Sequence, residues 1–174
     1  MNAHTDISRR GFMQGAAGLT FAFAIGGGTS ETAAQAAAGR LNAYVTITPS
    51  GAITIMMPAP EMGQGVNTTL PLIVAEELDA DWSKVTVQQA PVDAAYNHPV
   101  FRAQYQVASL TTRGYWMPLR TAGAQARRVL IDAAAQRWGV PAGELTTEPS
   151  VVVHAASGRK LSYGEIAGFA QVPD

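Results

Sequence analysis

Gly63, Gln64 and Gly65 sit just ahead of a run from Val66 to Leu78 whose apolar residues recur at helical spacing. Glycines at a helix entry let the backbone approach a ligand with no Cβ in the way. The N–H groups of a first helical turn lack intrahelical partners and point toward polar or anionic atoms. Gln64 adds an amide with a donor and an acceptor, which suits a flat heterocycle carrying both. Gly-x-Gly by itself is equally the mark of a tight turn with no ligand. A second polar group, Ser109, Thr111 and Thr112, stands at the start of a long helix-forming stretch. Hydroxyls in that place either cap the helix or bind a polar ligand.

Other residues that could carry chemistry read as structural. Glu61 is a loop acid beside the glycines. Glu76 and Glu77 are adjacent on a helix and face different directions, so they form no carboxylate dyad. His98 and His154 lack the spacing of metal ligands and read as a loop and a strand-end histidine. Asp93, His98 and Ser109 have the composition of a hydrolase triad, but no Gly-x-Ser-x-Gly elbow accompanies them. Arg127 and Arg128 read as a solvated helix face, and Trp116 and Trp138 as core or interface anchors. No residue is assigned as catalytic or as a metal ligand.

The elements that must position these groups follow from periodicity. Leu41 to Thr48 alternates apolar and polar residues, Pro49-Ser50-Gly51 is a turn, and Ala52 to Met57 is a second strand, ended by Pro58 and Pro60. The helix from Val66 to Leu78 follows, with Pro71 placed near its first turn, and then a strand from Lys84 to Gln89. Ala90 to Gln106 is an aperiodic, ordered loop. Ser109 or Thr111 caps a long helix to about Trp138, with Pro118 kinking it or delaying its start, and Gly139-Val140-Pro141 stops it. A short strand at Val151 to His154, a turn at Ser157-Gly158 and a helix from Ser162 to Ala170 complete the order, Ser162 and Glu165 forming a capping box. The expectation is an α+β fold: a two-layer domain of mixed strands with one long and two shorter helices.

Composition bounds the function. With 174 residues, 47% hydrophobic and 14% charged, the chain holds about one domain with a real core. A net charge of −1 and no basic stripe give no footprint for nucleic acid. With no cysteine there is neither disulfide nor iron–sulfur cluster on this chain.

The first residues read as an address. Ser8-Arg9-Arg10-Gly11-Phe12-Met13-Gln14 resembles a twin-arginine export signal, with Met13 and Gln14 in place of the usual Leu and Lys. Gly15 to Ile25 is an apolar run too short to span a membrane, and Ala36-Ala37-Ala38 offers a cleavage site. Residues 1–38 are thus read as signal and cleavage region and 39–174 as the functional domain, located in the periplasm, at the membrane only through a partner. Export of a folded protein implies a cofactor inserted beforehand.

Glu61-Met62-Gly63-Gln64-Gly65-Val66 resembles the Glu-Met-Gly-Gln-Gly motif of the xanthine dehydrogenase/aldehyde oxidase family of molybdenum hydroxylases, and Ala75-Glu76-Glu77-Leu78-Asp79, Trp82 and Val85 resemble its continuation. The likeness is to the beta chains of the isoquinoline 1-oxidoreductase branch and their periplasmic aldehyde dehydrogenase relatives, and it runs from Ser8 to about Ala170. In that family a Thr-Gly-Gly-Ser-x-Ser or Thr-Ala-Ala-Ser-x-Ser-Thr segment contacts the pterin. Gln106-Val107-Ala108-Ser109-Leu110-Thr111-Thr112 matches it by position, Gln106 and Val107 departing from the pattern. Gln104 matches a further, less specific family position.

The resemblance implies that Gly63, Gln64, Gly65, Ser109, Thr111 and Thr112 bind molybdopterin, as the cytosine dinucleotide with molybdenum. It implies a hydroxylase that oxidises a small aldehyde or N-heterocycle with oxygen from water. Electrons would pass to a [2Fe–2S] small subunit and on to a cytochrome c. The family's Phe-Gly-Gly segment and its Gly-x-Gly-Glu base are not found here, so the chain reads as part of a molybdopterin-binding domain, inactive alone and joined by the remaining molybdopterin-binding polypeptide. The alternative is a truncated or cofactor-free exported interaction module.

Overall fold

The computed structural model describes residues 19–22 and 43–170. The twin-arginine residues and the Ala36–Ala38 site lie outside them.

Among the described residues, two small sheets and three α-helices make the α+β arrangement expected. In the first sheet, of order β1-β2-β3-β4, β1 (Leu19–Ala22) pairs antiparallel with β2 (Ala43–Ile47), β2 antiparallel with β3 (Ile53–Met57), and β3 parallel with β4 (Val85–Gln89). The β2–β3 hairpin turns at Gly51, whose φ of 87° favours glycine. β3 alternates by burial, with Ile53, Ile55 and Met57 inside. The parallel β3–β4 pair needs a crossover, and helix α1 (Val66–Leu78) supplies it. Leu19–Ala22, read from sequence as part of the leader's apolar run, is placed as a strand on the outer edge of β2.

Helix α2 (Thr111–Trp138) lies against α1. Its buried residues Tyr115, Leu119, Ala122, Ala126, Leu130 and Ala134 recur every three or four positions, the stripe of a helix packed on one side. The two helices touch at Gly123, where a Cβ would stand 2.5 Å from the Val74 carbonyl oxygen. Pro118 lies inside α2, which starts at Thr111, so the proline does not delay the helix. Pro71 is buried in the second turn of α1, one turn later than expected.

Where sequence showed one strand near the C-terminus, there are three. β5 (Leu145–Glu148), β6 (Val151–His154) and β7 (Arg159–Ser162) form an antiparallel meander. β5 and β7 carry Thr, Glu, Arg and Lys on exposed positions and only four residues each, so neither leaves a clear apolar alternation. Helix α3 (Tyr163–Ala167) begins with the Ser162–Glu165 capping box and ends three residues sooner than expected.

Candidate functional site

The loop after β3 is built by Glu61. One carboxylate oxygen accepts the N–H groups of Gly63 at 2.7 Å and Gly65 at 3.1 Å, and the other accepts that of Asn67 at 2.9 Å. These bonds, Asn67's first and Gly65's next, hold the Glu61 carboxyl below its ordinary range. Glu61 therefore has the structural role expected of it. Gly63 and Gly65 sit at φ 91° and 85°, and a Cβ on either would meet no protein atom within 4 Å. Positive φ, rather than crowding within the protein, is what asks for glycine here. The Gln64 amide closes the loop, accepting from Met62 N at 2.6 Å and donating to the Pro60 carbonyl at 2.8 Å. Most N–H groups at the first turn of α1 are thus taken up within the protein, Val66's excepted among the described residues. Glu61 takes the N–H groups of Gly65 and Asn67, and the Gly65 carbonyl takes those of Thr68 and Thr69.

The start of α2 is the opposite case. Its N-cap is Leu110, so neither Ser109 nor Thr111 caps it, and no side chain does. The hydroxyls of Ser109, Thr111 and Thr112 have no hydrogen-bond partner among the described residues. Ala108 and Ser109 are both left-handed, with φ 56° and 54°, a strained pair for residues with a Cβ.

Packing from behind holds this segment. His98 is fully buried; its Nδ1 accepts the Val100 N–H at 3.2 Å, which leaves Nε2 to donate to the Leu110 carbonyl at 3.1 Å. Its ring lies against Phe101 and edge-on to Tyr115. The Tyr115 hydroxyl donates to the Tyr96 carbonyl at 2.7 Å, and burial pushes that phenol up to about 12. Gln104 accepts from Asp93 N at 3.0 Å and donates to the Pro58 carbonyl at 3.3 Å, which ties the α2 approach to the glycine loop. The role of His98 left no motif in the sequence, and the family position matched by Gln104 did not show its partners, because each role depends on a contact between distant segments.

The consequence is a shared cleft of about 310 Å³, with Gln64 and Val66 on one side and Gln106, Val107, Ala108, Ser109, Thr111 and Thr112 on the other. Of the six expected binding residues, Gln64, Ser109, Thr111 and Thr112 line it, while Gly63 and Gly65 shape the loop behind. A smaller apolar hollow at Arg113 and Trp116 adjoins it through Thr112. A larger concavity, about 360 Å³, lies at the far end of α2 between Asp132, Arg137 and Phe169. It gathers no motif residue, so the smaller cleft is the better candidate. Among the described residues, no three His, Cys, Asp or Glu side chains cluster to hold a metal, and no helix is long and apolar enough to cross a membrane.

Unspent hydroxyls at an uncapped helix start fit a polar ligand, and the fold around them has known counterparts. Over 71% of this chain it is similar to quinoline 2-oxidoreductase from Pseudomonas putida 86, with a TM-score of 0.54 and 20% identity, covering 15% of that chain. It is likewise similar to CO dehydrogenase from Oligotropha carboxidovorans, with a TM-score of 0.56 and 19% identity, over 71% of this chain and 15% of that one. The chain belongs to the molybdopterin cofactor-binding domain family, which matches residues 2–173. It is 46% identical to the beta subunit of isoquinoline 1-oxidoreductase from Brevundimonas diminuta over 97% of its own length. Over 71% of its length it is 32% identical both to a nicotinate dehydrogenase subunit of Pseudomonas putida and to the membrane-bound aldehyde dehydrogenase of Gluconacetobacter polyoxogenes. It spans 22%, 10% and 15% of those three relatives.

Proposed function

We propose that this chain supplies part of the molybdopterin site of an exported molybdenum hydroxylase. The observation that carries the reading is the cleft: two segments far apart in sequence meet there, and the hydroxyls of Ser109, Thr111 and Thr112 have no partner among the described residues. Those three hydroxyls and the cleft wall at Gln64 would hold the cofactor, read as the cytosine dinucleotide form. The bound group supplies two-electron oxidation of a carbon centre, with water as the oxygen source.

This chain's residues bind and orient. The backbone from Val107 to Ser109 presents the hydroxyls, Glu61 keeps the glycine loop in shape, and His98 fixes the α2 start from behind. The base that takes a proton during oxidation comes from other residues of the assembly, since no glutamate among the described residues lines the cleft. By their names, two of the relatives act on N-heterocycles and a third on aldehydes, and either class of small molecule is the proposed substrate. Electrons leave through a [2Fe–2S] partner toward a cytochrome c. The Arg9-Arg10 pair directs the loaded protein to the periplasm.

The test is to isolate the protein with its associated polypeptides and measure pterin and molybdenum per chain. Wild type carries both; Ser109→Ala combined with Thr112→Val carries at least tenfold less with an unchanged circular dichroism spectrum. Absence of both from the wild type would sink the proposal. Changing Arg9 and Arg10 to Lys leaves the loaded protein in the cytoplasm, and export undiminished by that change contradicts the periplasmic assignment.

A further inference from the structure

Gln106 lines the same cleft as Gln64 and Ser109, and its amide is unspent. Its Oε1 is closed off from solvent and meets no donor, one of two such side-chain atoms among the described residues. The other, Arg127 Nε, belongs to a guanidinium whose Nη2 lies 3.9 Å from Asp79, so that side chain has a partner. Gln106 has none among the described residues, and its Nε2 donates to no acceptor among them either. Folded proteins keep few shut-in acceptors without donors, because each has lost its water and gained nothing. The terminal amide of glutamine rotates over a broad, shallow range, so its orientation at the cleft it lines is open to being set by what binds there.

An acceptor asks for a donor, and that restricts what can satisfy it. The ionised phosphates of a phosphodiester or pyrophosphate link offer none at neutral pH, whereas the hydroxyls beside Gln106 can donate to phosphate. Resting on the proposed function above, we propose that Gln106 is a specificity-determining residue that accepts a hydrogen bond from an N–H or NH₂ edge of the bound heterocycle. The pattern this segment resembles has threonine at that position. The longer amide reaches further across the cleft and replaces a hydroxyl with a flat donor–acceptor group suited to a ring edge. The pterin ring and a nucleobase both offer such an edge.

The inference makes an unusual pairing of outcomes. Gln106→Leu removes the shut-in acceptor, so the cofactor-free protein keeps its melting temperature or gains. The same change lowers pterin retention of the purified assembly about tenfold, the loss of one hydrogen bond and its desolvated partner, while Gln106→Asn recovers part of it. If Gln106→Leu retains pterin like the wild type while the Ser109→Ala, Thr112→Val protein has lost it, the inference is wrong and the proposed function stands. If the wild type carries no pterin, both fall. A melting temperature lowered by several degrees in cofactor-free Gln106→Leu overturns the inference as well, since the residue would then be structural. Titrating the cofactor-free full chain with pterin and, separately, with cytidine monophosphate identifies the edge: the probe whose affinity falls in Gln106→Leu is the one read. Equal affinities of both proteins for both probes contradict the assignment.

Discussion

Glu61 illustrates how a single charged side chain can shape a site without entering its chemistry. Its carboxylate gathers N–H groups from Gly63, Gly65 and Asn67, the task often done by an N-cap residue, from a position four residues before the helix cap. Those bonds favour the ionised form and lower its pKa. The sign follows: the ordering it provides is complete above the ordinary glutamate range and is lost as pH falls through the lower folded value. Amide exchange at Gly63, Gly65 and Asn67 therefore speeds up in acid in the wild type, beyond the intrinsic pH dependence of exchange. Glu61→Gln shows fast exchange at every pH, and a mutant with wild-type protection at pH 7 would refute this role. His98 acts at the same scale on the other segment. A Cβ at Gly114 would lie 1.8 Å from His98 Nε2. Alanine in place of a helical glycine ordinarily gains about 1 kcal/mol, but overpacking costs about 1–3 kcal/mol and more when the neighbour cannot move. The collision wins: Gly114→Ala lowers stability by about 2–3 kcal/mol in urea denaturation, and adding His98→Ala recovers part of it, a coupling that independent sites would not show.

At the scale of elements, α1 and α2 carry the site, one at each side of the cleft, and their contact sets its width. Gly123 lets the two backbones meet, with the Val74 carbonyl where a Cβ would be. Backbone cannot swing aside as a side chain tip can, so Gly123→Ala costs about 2 kcal/mol net of its helix propensity gain. It also weakens pterin retention, measured beside the melting temperature; retention unchanged at lowered stability would show that helix spacing does not govern the cleft. Much of this was legible beforehand. The β2–β3 hairpin, α1, α2 and the Ser162–Glu165 capping box are local patterns, and local patterns survive in sequence. Two kinds of feature did not show. β5 and β7 are short and polar, so their pairing is decided by β6 between them rather than by their own alternation. The start of α2 looked capped because Ser109 and Thr111 are good capping residues, yet Leu110 takes the cap position, with Ser109 left-handed before it and Thr111 already inside the helix.

For the whole molecule, the cleft exists because three long-range ties converge: Gln104 to Pro58, His98 to Leu110 and Tyr115 to Tyr96. The glycine motif could be read as a ligand loop and the Ser109 segment as a second one, but their meeting in one cavity is a property of the fold alone. It is also what the functional proposal depends on. Hydrogen exchange of the assembly with and without its molybdopterin addresses it most directly. Binding at the shared cleft protects the amides of residues 63–66 and 107–112 together, with little change at the far concavity around Asp132 and Phe169. Protection at that far end, or at one of the two segments with the other unaffected, would contradict the account.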